Sequence, residues 1–270
     1  MIRSVPAPVR WISQSILGEG RYQRLAIAYW RWCEKRDPRY RSGLKRIAAL
    51  RDKHKGERCF ILGNGPSLKK TDLSLLKDEV TFGLNRIYLL FDELGFATTY
   101  YVAINKLVIE QFAHDIIRLP CPKFIRWQAC DLIDFTDTMM FLYPREDQGP
   151  RFYTDITEGI WVGATVTYVA MQIAYYMGFS KVILIGVDHS FTTKGEPHAT
   201  VLAAGDDPNH FDPNYFGKGF RWQLPDLEIS ELAYRLAKYQ FDIDNRELVD
   251  ATVNGSLEIF PKVDYQTLFR

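Results

Sequence analysis

A chain of 270 residues that is 47 % hydrophobic, 14 % aromatic and 25 % charged can bury a sizeable core and lacks the composition of a disordered or fibrous protein. No apolar run approaches the roughly 20 residues of a membrane span, and the first residues lack the apolar core of a secretory signal, which predicts a cytoplasmic protein. The net charge of +1 and the lack of a nucleic-acid motif predict that no nucleic acid is bound. Cys33, Cys59, Cys121 and Cys130 have neither CxxC spacing nor a His cluster, so they read as reduced, structural thiols.

The near-neutral total conceals a basic start. Residues 1 to 58 hold 15 Lys+Arg against 5 Asp+Glu, interleaved with Trp and Tyr, and the rest of the chain holds 19 against 28. Residues 22–34 and 42–54 have helical apolar spacing and are separated by the breaker Asp37-Pro38, so residues 1–57 read as a basic helical extension. Such a segment suits solvated helix faces, an anionic membrane surface or a phosphorylated acceptor.

From residue 58 to 270 the pattern predicts one α/β domain. Short β-rich runs at 58–62, 80–84, 98–104, 123–126, 139–142 and 181–187 alternate with helix-like stretches, which argues for a mostly parallel sheet with helices on both faces. A helix rich in Ala, Met and Tyr follows Gly163, Gly178 stops it, and a strand ends at Gly186-Val187-Asp188. A long irregular loop follows, about 189–225, of the kind that is usually functional. Residues 226–241 predict an amphipathic helix, and 247–260 a strand pair around Asn254-Gly255.

The first strand empties into Gly63-Asn64-Gly65-Pro66-Ser67-Leu68. A strand running into glycines brings backbone N–H groups against a phosphate or nucleotide. The turn is neither a P-loop, which needs Lys-Ser/Thr, nor a full dinucleotide fingerprint, because Leu68 stands where a third glycine belongs. Asn64, Asn85 and Asn105 each follow a strand. Their amides suit a base edge or sugar hydroxyls, and each also suits a plain turn. Gly163, Thr165, Gly186 and Asp188 join Gly63 to Ser67 as expected nucleotide contacts, since open α/β sheets bind ligands at the C-terminal ends of their strands. His210 follows the acidic pair Asp206-Asp207, which can fix the tautomer a general base needs. His189, at a strand end, is the second catalytic candidate, with His198 a further rival. Asp242-Ile243-Asp244 trails a helix and reads as helix-end chemistry. No Gly-x-Ser-x-Gly elbow or His-Glu-x-x-His run is present, which removes the common hydrolases and zinc enzymes.

The turn 62–68, the run Phe82-Gly-Leu-Asn-Arg-Ile-Tyr88 and the segment Gly178 to Asp188 together resemble the bacterial lipooligosaccharide-type sialyltransferases. They are similar too to the wider MptE-like family, which groups flagellin-modifying proteins with the archaeal-type 6-hydroxymethyl-dihydropterin diphosphokinase. The resemblance covers about residues 58–260. It implies a modified Rossmann-like sheet with a lid after the Gly-Val-Asp strand and metal-independent transfer with inversion. In the sialyltransferases the residues matching Asn64, Asn85 and Asn105 contact a CMP-sugar donor, and a histidine in an Asn-Ser-His-Tyr setting, resembled by Asn209-His210-Phe211, is the base. The family's tyrosine pair is replaced here by His189-Ser190-Phe191, with His189, Tyr215 or Lys218 as possible substitutes at the departing phosphate.

The expectation is therefore a glycosyltransferase of lipopolysaccharide-type biosynthesis that carries a CMP-activated nonulosonic acid to a surface glycan, with no cofactor and no metal site. Peripheral contact of the basic start with the inner membrane surface and association with further copies of the chain are compatible with this. The alternative is a diphosphokinase that uses ATP and magnesium held by Asp188 with Asp206 or Asp207. A non-catalytic binding domain is the third possibility.

Overall fold

The computed structural model describes residues 36–270; the helix expected over 22–34 lies outside them. Strands with apolar side chains on both faces build the sheet. In β1 (Arg58–Leu62), Cys59 and Ile61 enter one core layer while Phe60 and Leu62 enter the other, and all four are fully buried. β2 (Thr81–Leu84), β3 (Tyr100–Ala103), β4 (Lys123–Arg126), β5 (Met139–Leu142), β6 (Lys181–Ile185) and β9 (Glu247–Asp250) complete it in the order β5-β4-β3-β2-β1-β6-β9, with every neighbouring pair parallel. Burial on both faces is what makes such strands continuous apolar runs in sequence.

Helices cover both faces. α1 (Pro38–Ala48) packs against β5, where Gly43 sits close to the Phe141 backbone. α2 (Lys106–Arg118) buries Val108, Ile109, Phe112 and Ile116 in the layer of Phe60 and Leu62. α3 (Val166–Tyr176) and α4 (Leu227–Ile243) share the opposite layer. Among the described residues no helix is long and apolar enough to cross a membrane. The chain winds outward from β1 to β5 and then returns to place β6 on the other side of β1, so the strand order reverses between β1 and β6. The crevice at such a switch point is where open α/β sheets take ligands.

Three segments differ from the sequence reading. Asp37-Pro38 starts a helix rather than breaking one: Asp37 accepts from Arg39 N at 2.8 Å and Pro38 occupies the first turn, a position that suits its fixed φ and missing N–H. The helix stops at Ala48, because Asp52, His54 and Gly56 donate their N–H groups to Tyr176, Met177 and Gly178 at the end of α3. The strand pair expected over 247–260 is corrected. Only Glu247–Asp250 is a strand, parallel to β6. Asn254 takes the left-handed conformation at φ 56°, but the chain does not return antiparallel. The buried Asp250 carboxylate binds Thr252 N at 2.8 Å and Lys262 Nζ at 2.6 Å, and residue 262 comes back in a parallel bridge.

The long loop is also more ordered than its sequence suggests. It carries an antiparallel pair, β7 (Thr200–Leu202) and β8 (Arg221–Gln223), and buries Phe211, Tyr215, Phe216 and Trp222 on the α2 face of the sheet.

One buried amide positions the segment that leads into α3. Gln172, fully buried, accepts from Tyr153 N at 3.1 Å and Trp161 N at 3.3 Å and donates to Trp161 O at 2.8 Å. Gln172→Leu orphans all three backbone groups, so a loss of about 3 kcal/mol in urea unfolding is expected, at roughly 1 kcal/mol or more for each unpaired group.

Candidate active site

The C-terminal ends of the strands and the long loop enclose a cavity of about 690 Å³, within the roughly 300–1,000 Å³ typical of small-molecule sites. Asn64, Asn85, Asn105, Gly63, Gly65, Gly163, Thr165, Gly186, Asp188, His189 and His210 all line it. Of the expected site residues, Pro66 and Ser67 stand behind its wall.

The turn after β1 is closed by protein groups. Gly63 N donates to Ile185 O at 2.8 Å and Gly65 N to Gly186 O at 2.9 Å. Ser67 gives its N–H to Asp188 Oδ1 at 3.1 Å and its hydroxyl to Asp188 Oδ2 at 2.6 Å. The expectation that these N–H groups cradle a phosphate is thereby corrected, since they are spent across the switch point. The glycines serve that closure: a Cβ on Gly63 would overlap the Gly186 carbonyl, and one on Gly65 the Asp188 carboxylate. Gly186, at φ 67°, packs under Leu68, and Asp188 is an anchor of the turn rather than a free ligand group.

The polar atoms left without a protein partner at the cavity belong to side chains. Asn64 donates through Nδ2 to Leu84 O at 3.0 Å, and its buried Oδ1 has no partner in the protein. Asn85, in the left-handed region at φ 48°, likewise has a buried, unpartnered Oδ1. Asn105 caps α2 by accepting from Leu107 N at 2.9 Å. Turn-forming and ligand-facing roles thus coincide in these residues. A buried acceptor without a partner is costly, so Asn64 and Asn85 fit a ligand that donates, such as a ribose hydroxyl or an exocyclic amine. α2, α3 and α4 all begin on this cavity, at Asn105-Lys106, Thr165-Val166 and Leu227, and their positive ends favour an anion there. Thr165 caps α3 by accepting from Thr167 N at 3.3 Å, and Gly163 packs against Ala233 and Tyr168.

Three imidazoles meet the cavity, each paired with a carboxylate. His210 Nδ1 lies 2.7 Å from Asp207 Oδ2, and the imidazole stacks on Tyr215 at 3.9 Å with the planes 3° apart. His189 Nε2 lies 3.2 Å from Glu231 on α4 and its side chain is 8 % exposed. His198 pairs with Asp226 at 3.2 Å but is largely exposed. The loop carrying His210 is fastened to the sheet. Phe211 N donates to Asn64 O at 2.9 Å; Arg86 N donates to the Tyr215 hydroxyl at 3.2 Å, and Arg86 Nη1 to the carbonyls of Asn214 and Tyr215. The buried Arg86 guanidinium lies 3.8 Å above the Phe112 ring. Tyr215 is therefore the platform under His210, and burial pushes its phenol well above the ordinary tyrosine range.

The family model described as 6-hydroxymethylpterin diphosphokinase MptE-like matches residues 38–194. The chain belongs to the MptE-like family. Among solved structures it is similar to the MAf glycosyltransferase from Magnetospirillum magneticum AMB-1, at 13 % identity and a TM-score of 0.49 over 84 % of this chain. The chain spans 39 % of that protein's length. No curated protein matches it.

Arg126, Lys106, Gln128 and Glu146 also line the cavity and were not singled out from sequence. Arg126 ends β4 much as Asn85 follows β2, so its strand-end position was the available signal. Glu231, which holds His189, gave none, being 42 residues away on α4. Asp242-Ile243-Asp244 does end α4, where Asp242 pairs with Lys238 and Asp244 accepts from Gln240 and Tyr175.

The overlap at Gly65 yields a coupled prediction. Gly65→Ala should cost about 3 kcal/mol in chemical denaturation, from the steric overlap together with the weakened Ser67 contacts. Adding Asp188→Gly should make the pair less destabilising than the sum of the single changes by about 1–2 kcal/mol, because the overlapping carboxylate is then absent.

Proposed function

We propose that this chain is a sialyltransferase-like glycosyltransferase that moves a CMP-activated nonulosonic acid to a hydroxyl of a surface glycan, with inversion and without a metal. The observation that carries the reading is the Asp207–His210 pair opening on the same cavity as the amides of Asn64, Asn85 and Asn105. With Nδ1–H donating to Asp207, Nε2 is left as the acceptor. It takes the proton of the acceptor hydroxyl as that oxygen bonds to the anomeric carbon, while the bond from that carbon to the phosphate oxygen breaks and the electron pair leaves with the nucleotide. Asp207 then balances the imidazolium. The bare Asn64 and Asn85 oxygens suit donor groups of the nucleoside, and the start of α3 suits the phosphate. His189 is favoured at the departing phosphate over its two rivals, since the Tyr215 hydroxyl is engaged by Arg86 and Lys218 is not on the cavity wall. A membrane-bound acceptor would give the basic residues 1–57 a use at the anionic inner membrane surface.

The family's description favours a second reading, a diphosphokinase using ATP and magnesium. The carboxylates do not suit it. Both oxygens of Asp188 are on Ser67; those of Asp207 serve Asn209 N, His210 and Phe216 N; Asp206 is off the cavity wall. No group of three metal-binding side chains occurs among the described residues.

Thermal-shift titration with CMP, CDP, UDP and ATP, with magnesium or with EDTA, separates the two readings. Stabilisation by CMP that EDTA leaves intact is expected; magnesium-dependent stabilisation by ATP alone would reverse the assignment. Once a substrate pair is in hand, His210→Ala should lower kcat by about 10²- to 10⁴-fold, the usual contribution of a general base, with CMP affinity little changed. Undiminished turnover would remove His210 from the mechanism.

A further inference from the structure

The end of the cavity at β3 and β4 carries positive charge that the nucleotide contacts leave unused. Arg126, the last residue of β4, lines it with Lys106, the first residue of α2. The half-buried guanidinium makes only two contacts, Nε to Gln128 Oε1 at 3.2 Å and Nη1 to Ile104 O at 3.5 Å, both to neutral acceptors. Among the described residues no carboxylate lies within 4 Å of it, and Nη2 has no protein acceptor. Burial pulls its pKa below the ordinary arginine value, which marks a charge whose lost hydration the protein does not restore. Glu146 is the acidic group at this end. It acts on Arg126 only through space, and against two cations it leaves the end net positive. Asp188, the other carboxylate on the wall, is turned to Ser67.

Position separates this charge from the general base. Neighbouring strands lie about 4.8 Å apart, so Arg126 on β4 is roughly 14 Å across the sheet from the end of β1, where the His210 loop is fastened through Asn64 O. A nucleotide read by amides on β1, β2 and β3 leaves the β4 end to another part of the reacting pair. A fork of guanidinium donors beside an ammonium matches a carboxylate or a phosphate.

We propose that Arg126 and Lys106 form an anion subsite that binds a carboxylate or phosphate carried by the acceptor, so that the acceptor is an anionic glycan. This rests on reading the cavity as a glycosyltransferase site. Charge-assisted hydrogen bonds of this kind correspond to about a 10- to 100-fold change in Kd.

Isothermal titration of the full chain with glucuronic acid, glucose 1-phosphate and CMP tests it, using wild type, Arg126→Met and Lys106→Met, with thermal unfolding to check that each variant is folded. The expected result is binding of one or both sugar anions, weakened about 10- to 100-fold in Arg126→Met and less in the exposed Lys106→Met, with CMP affinity unchanged. The preferred anion tells a carboxylate acceptor from a phosphate one. Equal anion binding by wild type and both variants overturns the subsite, as does no anion binding by wild type. Parallel loss of CMP and anion in Arg126→Met assigns the arginine to the nucleotide and overturns it too. Anion binding that needs Arg126 in a protein that ignores CMP keeps the subsite and rejects the CMP donor. Should Arg126→Met not fold, Lys106→Met, whose side chain is solvent-exposed, decides by the same comparison.

Discussion

The contact between Asp188 and Ser67 governs how the cavity is built. It joins the end of β6 to the turn after β1 where the strand order reverses, and it needs Gly65 to have no side chain. The turn then gives the N–H groups of Gly63, Gly65 and Ser67 to the protein itself. A dinucleotide fold uses comparable groups to bind pyrophosphate. Here the same glycine-rich sequence acts as a latch, and the unpartnered polar atoms at the strand ends are the amide oxygens of Asn64 and Asn85. The register supports this: Leu62 pairs with Gly83, which puts Asn64 and Asn85 level on adjacent strands.

A second fixed element sits on that frame. The loop with His210 has little regular structure, yet four aromatic side chains enter the core and Arg86 binds two of its carbonyls. A buried guanidinium usually needs a carboxylate; here carbonyl oxygens and the Phe112 ring take that place. His210 stacks on Tyr215, and the Arg86 guanidinium lies 5.6 Å from the Tyr215 ring centre and 3.8 Å from that of Phe112. Under the proposed transfer, restricting the His210 imidazole in this way reduces the orientational freedom to be lost on reaching a reactive geometry, so the length of the loop is compatible with a precise site.

Sequence reading captured what local pattern determines. The short β-rich runs at 58–62, 123–126 and 139–142 are strands whose apolar residues are buried because both faces of the sheet are covered, and strand-end asparagines came to one cavity because parallel strands all end on the same side. It failed where a distant partner decides. Asn254-Gly255 carries a hairpin signal, but Asp250 and Lys262 set the path of the chain. The glycines of the first turn looked like a phosphate cradle because the carbonyls of Ile185 and Gly186, more than 120 residues on, could not be seen. Asp207 was visible beside His210; Glu231 on α4 and Asp226 at its N-cap, the partners of His189 and His198, were not. Arg126 carries one signal, its place at the end of β4, with no spacing to reinforce it.

The distribution of carboxylates constrains the chemistry further. Of the two carboxylates on the cavity wall Asp188 is tied to Ser67 and Glu146 lies at the Arg126 end, while Asp207, Glu231 and Asp226 pair with imidazoles, so negative charge other than that of Glu146 is turned away from the cavity. What faces it instead are the positive ends of three helices, His189 and the pair Arg126 and Lys106. A helix end contributes about 0.3–1 kcal/mol at an exposed site and up to about 2 kcal/mol when partly buried. Three such ends are comparable in effect to one strong ion pair, and they need no rearrangement as charge develops. Under the proposed transfer, the nucleotide phosphate gains charge as its bond to the sugar breaks, and these fixed dipoles stabilise it most at that moment. The same field would raise the affinity for an intact anionic donor, so the catalytic gain comes from the part of the attraction that grows with the departing charge. Within that proposal His189, on the cavity wall and held through Nε2 by Glu231, is the side chain assigned to that part.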